Sequence, residues 1–265
     1  MLMGPFFLLY LFTLLFGLLV GSFLNVCIYR IPRGESIVFP GSHCPHCSHA
    51  IQPWENIPVI SFLFLQGKCR YCQIPISWRY PAIELLTTVF FVIFLHQYSV
   101  SFDALWYLIL TCALIVISFI DLDYQIIPDK ISLPGIVVGF IASFFLPLRW
   151  YDSLLGILVG GGIILAVGYA GKWVFKKEAM GGGDVKLMAM IGAFLGWKLV
   201  LLTLFFASIV GAIVGLVFKL ATGKDYIPFG PFLSAGALLA LFFGEKLLFW
   251  YWNFMLPSQI SDILR

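Results

Sequence analysis

Long stretches without a charged residue constrain this chain more than any other feature of its sequence. Seven uncharged runs of 17 to 29 residues are separated by segments that carry charged residues, and an eighth run has only 11 residues. About 20 helical residues cross the hydrocarbon core of a bilayer, so the seven longer runs are long enough to span it. The eight runs are Met1–Tyr29, Leu85–Phe102, Ala104–Ile120, Ile131–Leu148, Ser153–Gly171, Leu187–Trp197, Leu199–Phe218 and Tyr226–Gly244.

These runs predict an all-α polytopic membrane protein with about eight transmembrane helices embedded in a lipid bilayer. Only 11% of the 265 residues are charged, against about 25% in soluble domains. So few charges cannot cover a water-soluble surface, which excludes a soluble enzyme and a protein that binds nucleic acid. The first run has no basic residue before it, as a secretory signal would. We therefore expect residues 1–29 to form a retained membrane helix.

The distribution of Lys and Arg predicts how these helices are oriented. With eight spans, the loops that follow the odd-numbered helices hold 12 basic residues, and the opposite side holds four. Cytoplasmic loops of membrane proteins are enriched in Lys and Arg. We therefore expect the odd-numbered loops to lie in the cytoplasm and both termini to lie outside.

The cysteine segment, residues 30–81, is the one long hydrophilic stretch, and it contains seven prolines. Such a stretch cannot form a long helix, and it has too little apolar material for a core of its own. Two C-x-x-C pairs lie within it: Cys44 with Cys47, and Cys69 with Cys72. Four thiolates at this spacing predict a tetrahedral zinc site. A redox dithiol or disulfides are the alternative, which the predicted cytoplasmic location disfavours.

Acidic residues flank two of the predicted helices on the predicted cytoplasmic side. Asp121 and Asp123 follow the third run, and Asp184 precedes the short sixth run after the glycines Gly181–Gly183. Two carboxylates held close together cannot both ionise and therefore share a proton. Such a pair can activate water for attack on a peptide carbonyl and protonate the departing amine. An ion-coupling pair in a transporter, or acids that cap helices, are equally open interpretations of these residues.

Several motifs in one order resemble the type IV prepilin peptidases, the bifunctional leader peptidase and N-methyltransferase enzymes of pilus and type II secretion systems. The resemblance covers nearly the whole chain and is more specific than any single motif. The motifs are Gly21–Val26 leading into Tyr29–Pro32, then Ser42–Cys47, Trp54–Pro58, Gly67–Cys72, Ile76–Glu84, the two aspartate motifs and Ile227–Phe232.

This resemblance implies a membrane aspartic peptidase of the Gly-x-Gly-Asp type, with Asp121 and Asp184 as its catalytic acids and Asp123 as the fallback for the first. Its substrates would be type IV prepilins or pseudopilins, cut at the cytoplasmic face of the bacterial inner membrane. The family then methylates the new N-terminal residue with S-adenosylmethionine. The chain would accordingly divide into a first transmembrane helix at 1–29, the zinc domain at 30–81 and the peptidase bundle at 82–265.

The position of the S-adenosylmethionine site is unknown from the sequence, since no Gly-rich cofactor loop is visible. Asn56, Arg79 and Glu84 match the family's pattern around the cysteine segment and are candidate cofactor-binding residues. Glu84 has two open interpretations, an acid near a helix start that faces the helix dipole, or part of a site shared with the cysteine segment.

Two functions of other classes compete with this one. A membrane thiol oxidoreductase would use the two C-x-x-C pairs, but the predicted cytoplasmic location of the cysteines counts against it. An ion-coupled transporter would use Asp121 and Asp184, but it gives the cysteine segment no role.

Overall fold

The computed structural model is helical throughout the parts that it describes, which are residues 3–146, 148–176, 181–223 and 227–255. Within those ranges no β-strand forms beyond two isolated bridges, which confirms the predicted all-α class. The helices are α1 (Met3–Arg30), α2 (Ile60–Phe64), α3 (Arg79–Tyr98), α4 (Phe102–Tyr124), α5 (Asp129–Ala142), α6 (Trp150–Phe175), α7 (Gly182–Thr222) and α8 (Gly230–Met255), with a 3₁₀ turn at Pro53–Asn56.

Six helices among the described residues are long and apolar enough to cross a membrane, namely α1, α3, α4, α6, α7 and α8. The helix α5 has 14 residues and is about 21 Å long, which is short of a hydrocarbon core of about 30 Å. The predicted span Ile131–Leu148 is therefore not a full-length helix over its described residues. The 41-residue helix α7 is broken at Gly196, whose φ of 75° suits glycine. This break separates the predicted sixth and seventh runs, and the total of eight spans stays a prediction.

The chain divides into two compact units, Met1–Ile120 and Asp121–Arg265, and the boundary falls inside α4. In the first unit, α1 and α3 pack along each other. Gly21 makes their contact close, because a Cβ there would lie 2.6 Å from the Cα of Glu84. The cysteine segment joins these two helices. The functional division at residues 29 and 81 stays a prediction.

In the second unit, α7 packs against α5, α6 and α8. The contact between α6 and α7 is backbone against backbone, because a Cβ on either Gly156 or Gly192 would overlap the carbonyl of the other. Glycine pairs of this kind let membrane helices approach closely. The first turn of α7, which contains Asp184, is therefore held by contacts within the second unit.

Candidate active site and metal site

Asp121 lies in the last turn of α4 and is only 6% exposed. The backbone N–H of Gly230, the first residue of α8, donates a hydrogen bond of 2.9 Å to its Oδ2 atom. The first N–H groups of a helix have no partner within the helix, so they are free to bind a carboxylate. A Cβ on Gly230 would lie 2.6 Å from the same oxygen. Glycine at position 230 is therefore what allows α8 to begin against this carboxylate.

Asp184 lies in the first turn of α7 and is half-buried. The backbone N–H of Gly181 donates a hydrogen bond of 3.3 Å to its Oδ2 atom. Gly183 packs against the segment that follows α4, because a Cβ there would lie 2.9 Å from the Cβ of Ile127. Gly182 has open space beside it, since a Cβ there would meet nothing within 4 Å. Gly182 therefore leaves room for another backbone to approach, whereas Gly183 does not.

The structure brings Asp121 and Asp184 together in the second unit, close enough for their charges to interact. This is the juxtaposition that the sequence predicts for acids at the ends of different helices. Asp123, the fallback for the first acid, is exposed. A carboxylate pair of this kind can share a proton and can activate a water molecule, and a catalytic role for these residues stays a prediction.

Two contacts near Asp121 and Asp184 were not predicted from the sequence. One is the hydrogen bond from Gly230, which the placing of glycine between Pro228 and Pro231 could have signalled, since proline favours helix starts. The other is an ion pair in which the Nζ atom of Lys186 lies 2.7 and 2.8 Å from the two carboxylate oxygens of Asp129. This ion pair ties the beginning of α7 to the beginning of α5.

The four predicted cysteine ligands form one cluster in the first unit, with all four Sγ atoms within 4.8 Å of one another. The Sγ atoms of Cys44 and Cys72 are 3.9 Å apart. Four sulfurs bonded tetrahedrally to one ion at about 2.3 Å would lie about 3.8 Å apart. All six cysteines of the chain are free thiols. The cluster of Cys44, Cys47, Cys69 and Cys72 could therefore hold a metal ion.

The two C-x-x-C pairs adopt the same local structure. The N–H of Cys44 donates to the carbonyl of His49, and the N–H of Cys69 donates to the carbonyl of Ile74, each at 2.9 Å. In both turns the residue after the second cysteine has positive φ, 55° at Ser48 and 57° at Gln73. Two copies of one turn thus present four thiols to a common point, although no repeat is evident in the sequence.

Two thiols of this cluster differ in acidity. Burial raises the pKa of Cys44, but hydrogen bonds from the backbone of Cys47 and His46 and from the thiols of Cys47 and Cys69 outweigh it and lower this pKa to about 7. The backbone of Ile74 lowers the pKa of Cys72, but burial and the other three thiols raise it to about 11. The Cys44 thiolate therefore forms more readily than the Cys72 thiolate, and a bound cation would favour the ionised form of each ligand.

The three candidate cofactor-binding residues do not all lie together. Glu84 is buried in α3 and accepts a hydrogen bond of 2.7 Å from the N–H of Val59, and Asn56 is exposed at the end of the 3₁₀ turn. Both line one cavity of the first unit, which Cys44 also lines. Glu84 therefore lines a cavity together with residues of the cysteine segment, and its role in a shared site stays a prediction. Arg79 is not among the lining residues, and its guanidinium donates a hydrogen bond of 3.0 Å to the carbonyl of Phe119.

Comparisons with known proteins agree on one family. The bacterial peptidase A24 N-terminal domain matches residues 15–98, and the type IV leader peptidase family matches residues 108–216. A prepilin leader peptidase/N-methyltransferase of Myxococcus xanthus is 45% identical over 83% of this chain, and the match spans 66% of that relative, just under two thirds.

Two further relatives with the same name match over nearly their whole length. The protein of Pseudomonas aeruginosa is 38% identical over 91% of this chain and 93% of its own length. The protein of Legionella pneumophila is 37% identical over 91% of this chain and 94% of its own length. No solved structure matches the chain significantly. The apolar helices and these bacterial relatives indicate an integral protein of the bacterial inner membrane, and the chain belongs to the type IV leader peptidase family.

Proposed function

We propose that this protein cleaves the basic leader from type IV prepilins or pseudopilins and then methylates the new N-terminal residue. The observation that carries the proposal is the pairing of Asp121 and Asp184 within the second unit, each held by a backbone N–H at a helix start. The names of the relatives, prepilin leader peptidase/N-methyltransferase, support both activities.

The chemistry of cleavage follows from one shared proton. The ionised member of the pair removes a proton from a water molecule, which attacks the carbonyl carbon of the scissile peptide bond. The protonated member donates its proton to the departing amine, so the pair regains one proton overall. The hydrogen bond from Gly230 stabilises negative charge on Asp121. We therefore assign the base to Asp121 and the acid to Asp184 in the first step.

We propose that both sites face the cytoplasm, as the distribution of basic residues predicts. A prepilin carries its cleavage point where a basic leader meets an apolar helix. Asp121 in the last turn of α4 and Asp184 in the first turn of α7 lie at the ends of helices rather than in their middles. Acids at this depth suit a bond near the membrane surface.

We propose that the four-cysteine cluster holds Zn²⁺. Four thiolates in tetrahedral geometry favour zinc or an iron–sulfur centre, and the separation of the Cys44 and Cys72 sulfurs suits a single ion. Four protein ligands leave no open coordination position, so this ion would be structural. It would hold the cysteine segment together, since that segment has almost no apolar core.

Neither alternative function draws support from these findings. A thiol oxidoreductase needs a dithiol that cycles with a disulfide, whereas the four sulfurs here form a metal-compatible cluster. An ion-coupled transporter would use the paired acids but has no need of that cluster. The family match agrees with the peptidase.

Co-expression of this protein with a prepilin tests both activities in one measurement. The N-terminal mass of the prepilin should show that the leader is absent and that one methyl group has been added. A prepilin that keeps its leader beside the wild-type protein would overturn the peptidase. A cleaved but unmethylated prepilin would overturn the methyltransferase alone.

A further inference from the structure

The short helix α2 (Ile60–Phe64) presents the opposite pattern to a helix that faces water. Its one polar residue, Ser61, is buried, and the Ser61 hydroxyl donates a hydrogen bond of 2.8 Å to the carbonyl of Trp54. Three apolar side chains are exposed instead, at 45%, 62% and 82%, and they belong to Ile60, Leu63 and Phe64. Helices at a water-facing surface bury their apolar side chains and expose their polar ones. The outer face of α2 is therefore suited to apolar surroundings.

Contacts with α3 show the depth at which α2 lies. The N–H of Val59, the residue before α2, donates a hydrogen bond of 2.7 Å to the Oε2 atom of Glu84. Glu84 is the sixth residue of α3, so it lies about 7.5 Å from the start of that helix. On the inner face of α2, the ring of Phe62 packs edge-on against Trp78, the residue before α3, with centroids 4.6 Å apart. These two contacts place α2 beside the first two turns of α3.

The length of α3 relates this position to the membrane. The helix has 20 residues and is about 30 Å long, which equals the thickness of a hydrocarbon core. Its first turns therefore lie at the boundary between the hydrocarbon and the lipid headgroups. Trp78, at this end of α3, is 71% exposed, and tryptophan is enriched at that boundary. A short helix beside these turns lies at the same boundary.

We propose that Ile60, Leu63 and Phe64 insert into the lipid at this boundary and anchor α2 to the membrane. The partner is the acyl-chain region just below the headgroups, because Leu85 in the second turn of α3 is already 50% exposed at that level. Lys68 follows α2 and is exposed, which suits anionic headgroups. The cysteine segment is thus attached to the membrane at three points, namely α2 and the ends of α1 and α3. This anchor does not depend on the proposed peptidase or methyltransferase.

Photocrosslinking of the full-length protein in lipid vesicles tests the anchor. The variant is Phe64→p-benzoylphenylalanine, and the vesicles of phosphatidylcholine and phosphatidylglycerol carry radiolabel in their acyl chains. The reference is the same replacement at Phe12, which is 64% exposed in α1. Because a buried ring of this size strongly prefers apolar surroundings, we expect about tenfold more lipid adduct at position 64 than at a position in water. The amount should be similar to that at position 12.

The variant Glu35→p-benzoylphenylalanine supplies the matched control in water. The side chain of Asn25 in α1 donates a hydrogen bond of 3.1 Å to the carbonyl of Tyr80, at the start of α3. From this level α1 continues for about 7.5 Å to Arg30. The N–H of Glu35 donates to the carbonyl of Arg30, and Glu35 is exposed. Position 35 therefore lies beyond the boundary at which α2 lies.

Each outcome of the crosslinking decides for or against lipid as the partner. A lipid adduct at position 64 no larger than that at position 35 overturns the anchor. Crosslinking of position 64 to a second copy of the chain, or to an added prepilin, in place of lipid also overturns it. Circular dichroism restricts the comparison to preparations with the helix content of the wild-type protein. All of these outcomes leave the proposed function standing.

Amide hydrogen exchange in the same vesicles tests the anchor without a photoreactive group. Phe64 is 82% exposed and has few contacts within the protein, so Phe64→Asp acts mainly on the contact with lipid. A carboxylate is costly in hydrocarbon, and we expect exchange of the peptide 59–66 to become several-fold faster. Gln66→Asp is the matched control, because it adds the same charge at an exposed polar residue just after α2. Wild-type exchange in Phe64→Asp would show that this ring does not contact lipid.

Discussion

The two units hold their polar groups in place by different means. In the second unit, all ten residues of α7 from Leu187 to Gly196 are buried, as expected of a helix segment packed on every side. In the cysteine segment, only four residues between 31 and 78 are buried. The acids therefore rest on a packed helical frame, whereas the cysteines must be held by what they bind. Variants that affect one unit should leave the activity of the other largely intact.

The largest expected effect is the loss of cleavage when either paired acid becomes an amide. An Asn side chain cannot exchange a proton with water or with the departing amine, and such groups contribute about 10²–10⁴-fold to rates. We expect Asp121→Asn and Asp184→Asn to reduce leader cleavage by about 10³-fold, read from the mass of a co-expressed prepilin. Both variants should still methylate a peptide that already carries the free N-terminus of a cleaved prepilin.

Asp123→Asn is the control for these variants, because Asp123 is exposed and only two residues from Asp121. It should cleave prepilin at close to the wild-type rate. Full cleavage by Asp121→Asn or Asp184→Asn would remove the acid pair from the mechanism. Loss of cleavage only in Asp123→Asn would move the first catalytic acid to that position.

The next effect concerns the first unit, where Cys44→Ser should abolish methylation. Changes to the groups around a metal site cost about 10–100-fold, and losing a ligand costs more, so we expect methylation to fall by more than about 100-fold. Metal analysis should show less than one zinc per chain. Cleavage should fall by a smaller factor, since no cysteine of the cluster lies in the second unit.

Cys112→Ser is the matched control, because Cys112 lies in α4 outside the cluster. It should keep its zinc and both activities. Equal losses of cleavage and methylation in Cys44→Ser would contradict the expectation that a variant in one unit leaves the activity of the other largely intact. They would mean that the metal supports the fold of the whole chain.

An intermediate effect is expected at Gly230. A Cβ there would lie 2.6 Å from the Oδ2 atom of Asp121, so Gly230→Ala must displace either the carboxylate or the start of α8. Displacing a reacting group by about 1 Å can cost about 100-fold in rate. We expect a loss of cleavage of that size, measured by the mass of the processed prepilin, with methylation of a free N-terminus unchanged.

Gly162→Ala serves as the control, because a Cβ on Gly162 would meet nothing within 4 Å. It should cleave normally. Normal cleavage by Gly230→Ala would show that the hydrogen bond from this residue to Asp121 does not position the acid.

The sequence predicted features that depend on local patterns. Uncharged runs predicted the helices, two equal C-x-x-C spacings predicted the thiol cluster, and acids at helix ends predicted the pair Asp121 and Asp184. In each case the residues that form the pattern lie within a few positions of the helix, thiol or acid that the pattern predicted. Helix α7 begins at Gly182, five residues before the uncharged run that starts at Leu187.

Contacts between distant residues could not be predicted in the same way. The hydrogen bond from Gly230 to Asp121 joins residues 109 positions apart, and nothing in the periodicity of α4 or α8 determines their register. The ion pair of Lys186 with Asp129 joins residues 57 positions apart. The shortness of α5 could not be predicted either, since its uncharged run is as long as that of a spanning helix.

The smallest expected effect is at this ion pair. Lys186 and Asp129 keep 38% and 55% of their side chains exposed, and exposed ion pairs contribute at most about 1 kcal/mol. The ten buried residues that follow already hold the beginning of α7 in place. Lys186→Met and Asp129→Asn should therefore reduce cleavage by less than about fivefold, measured as the initial rate on purified prepilin.

The charge-reversed double variant, Asp129→Lys with Lys186→Asp, distinguishes a positioning contact from a chemical one. A positioning contact requires opposite charges in either order, so the double variant should recover the rate lost by the single variants. A group that touches the substrate cannot be exchanged in this way. Single losses of about 100-fold without recovery would therefore place Lys186 or Asp129 in the chemistry, and the pair of acids would no longer account for cleavage alone.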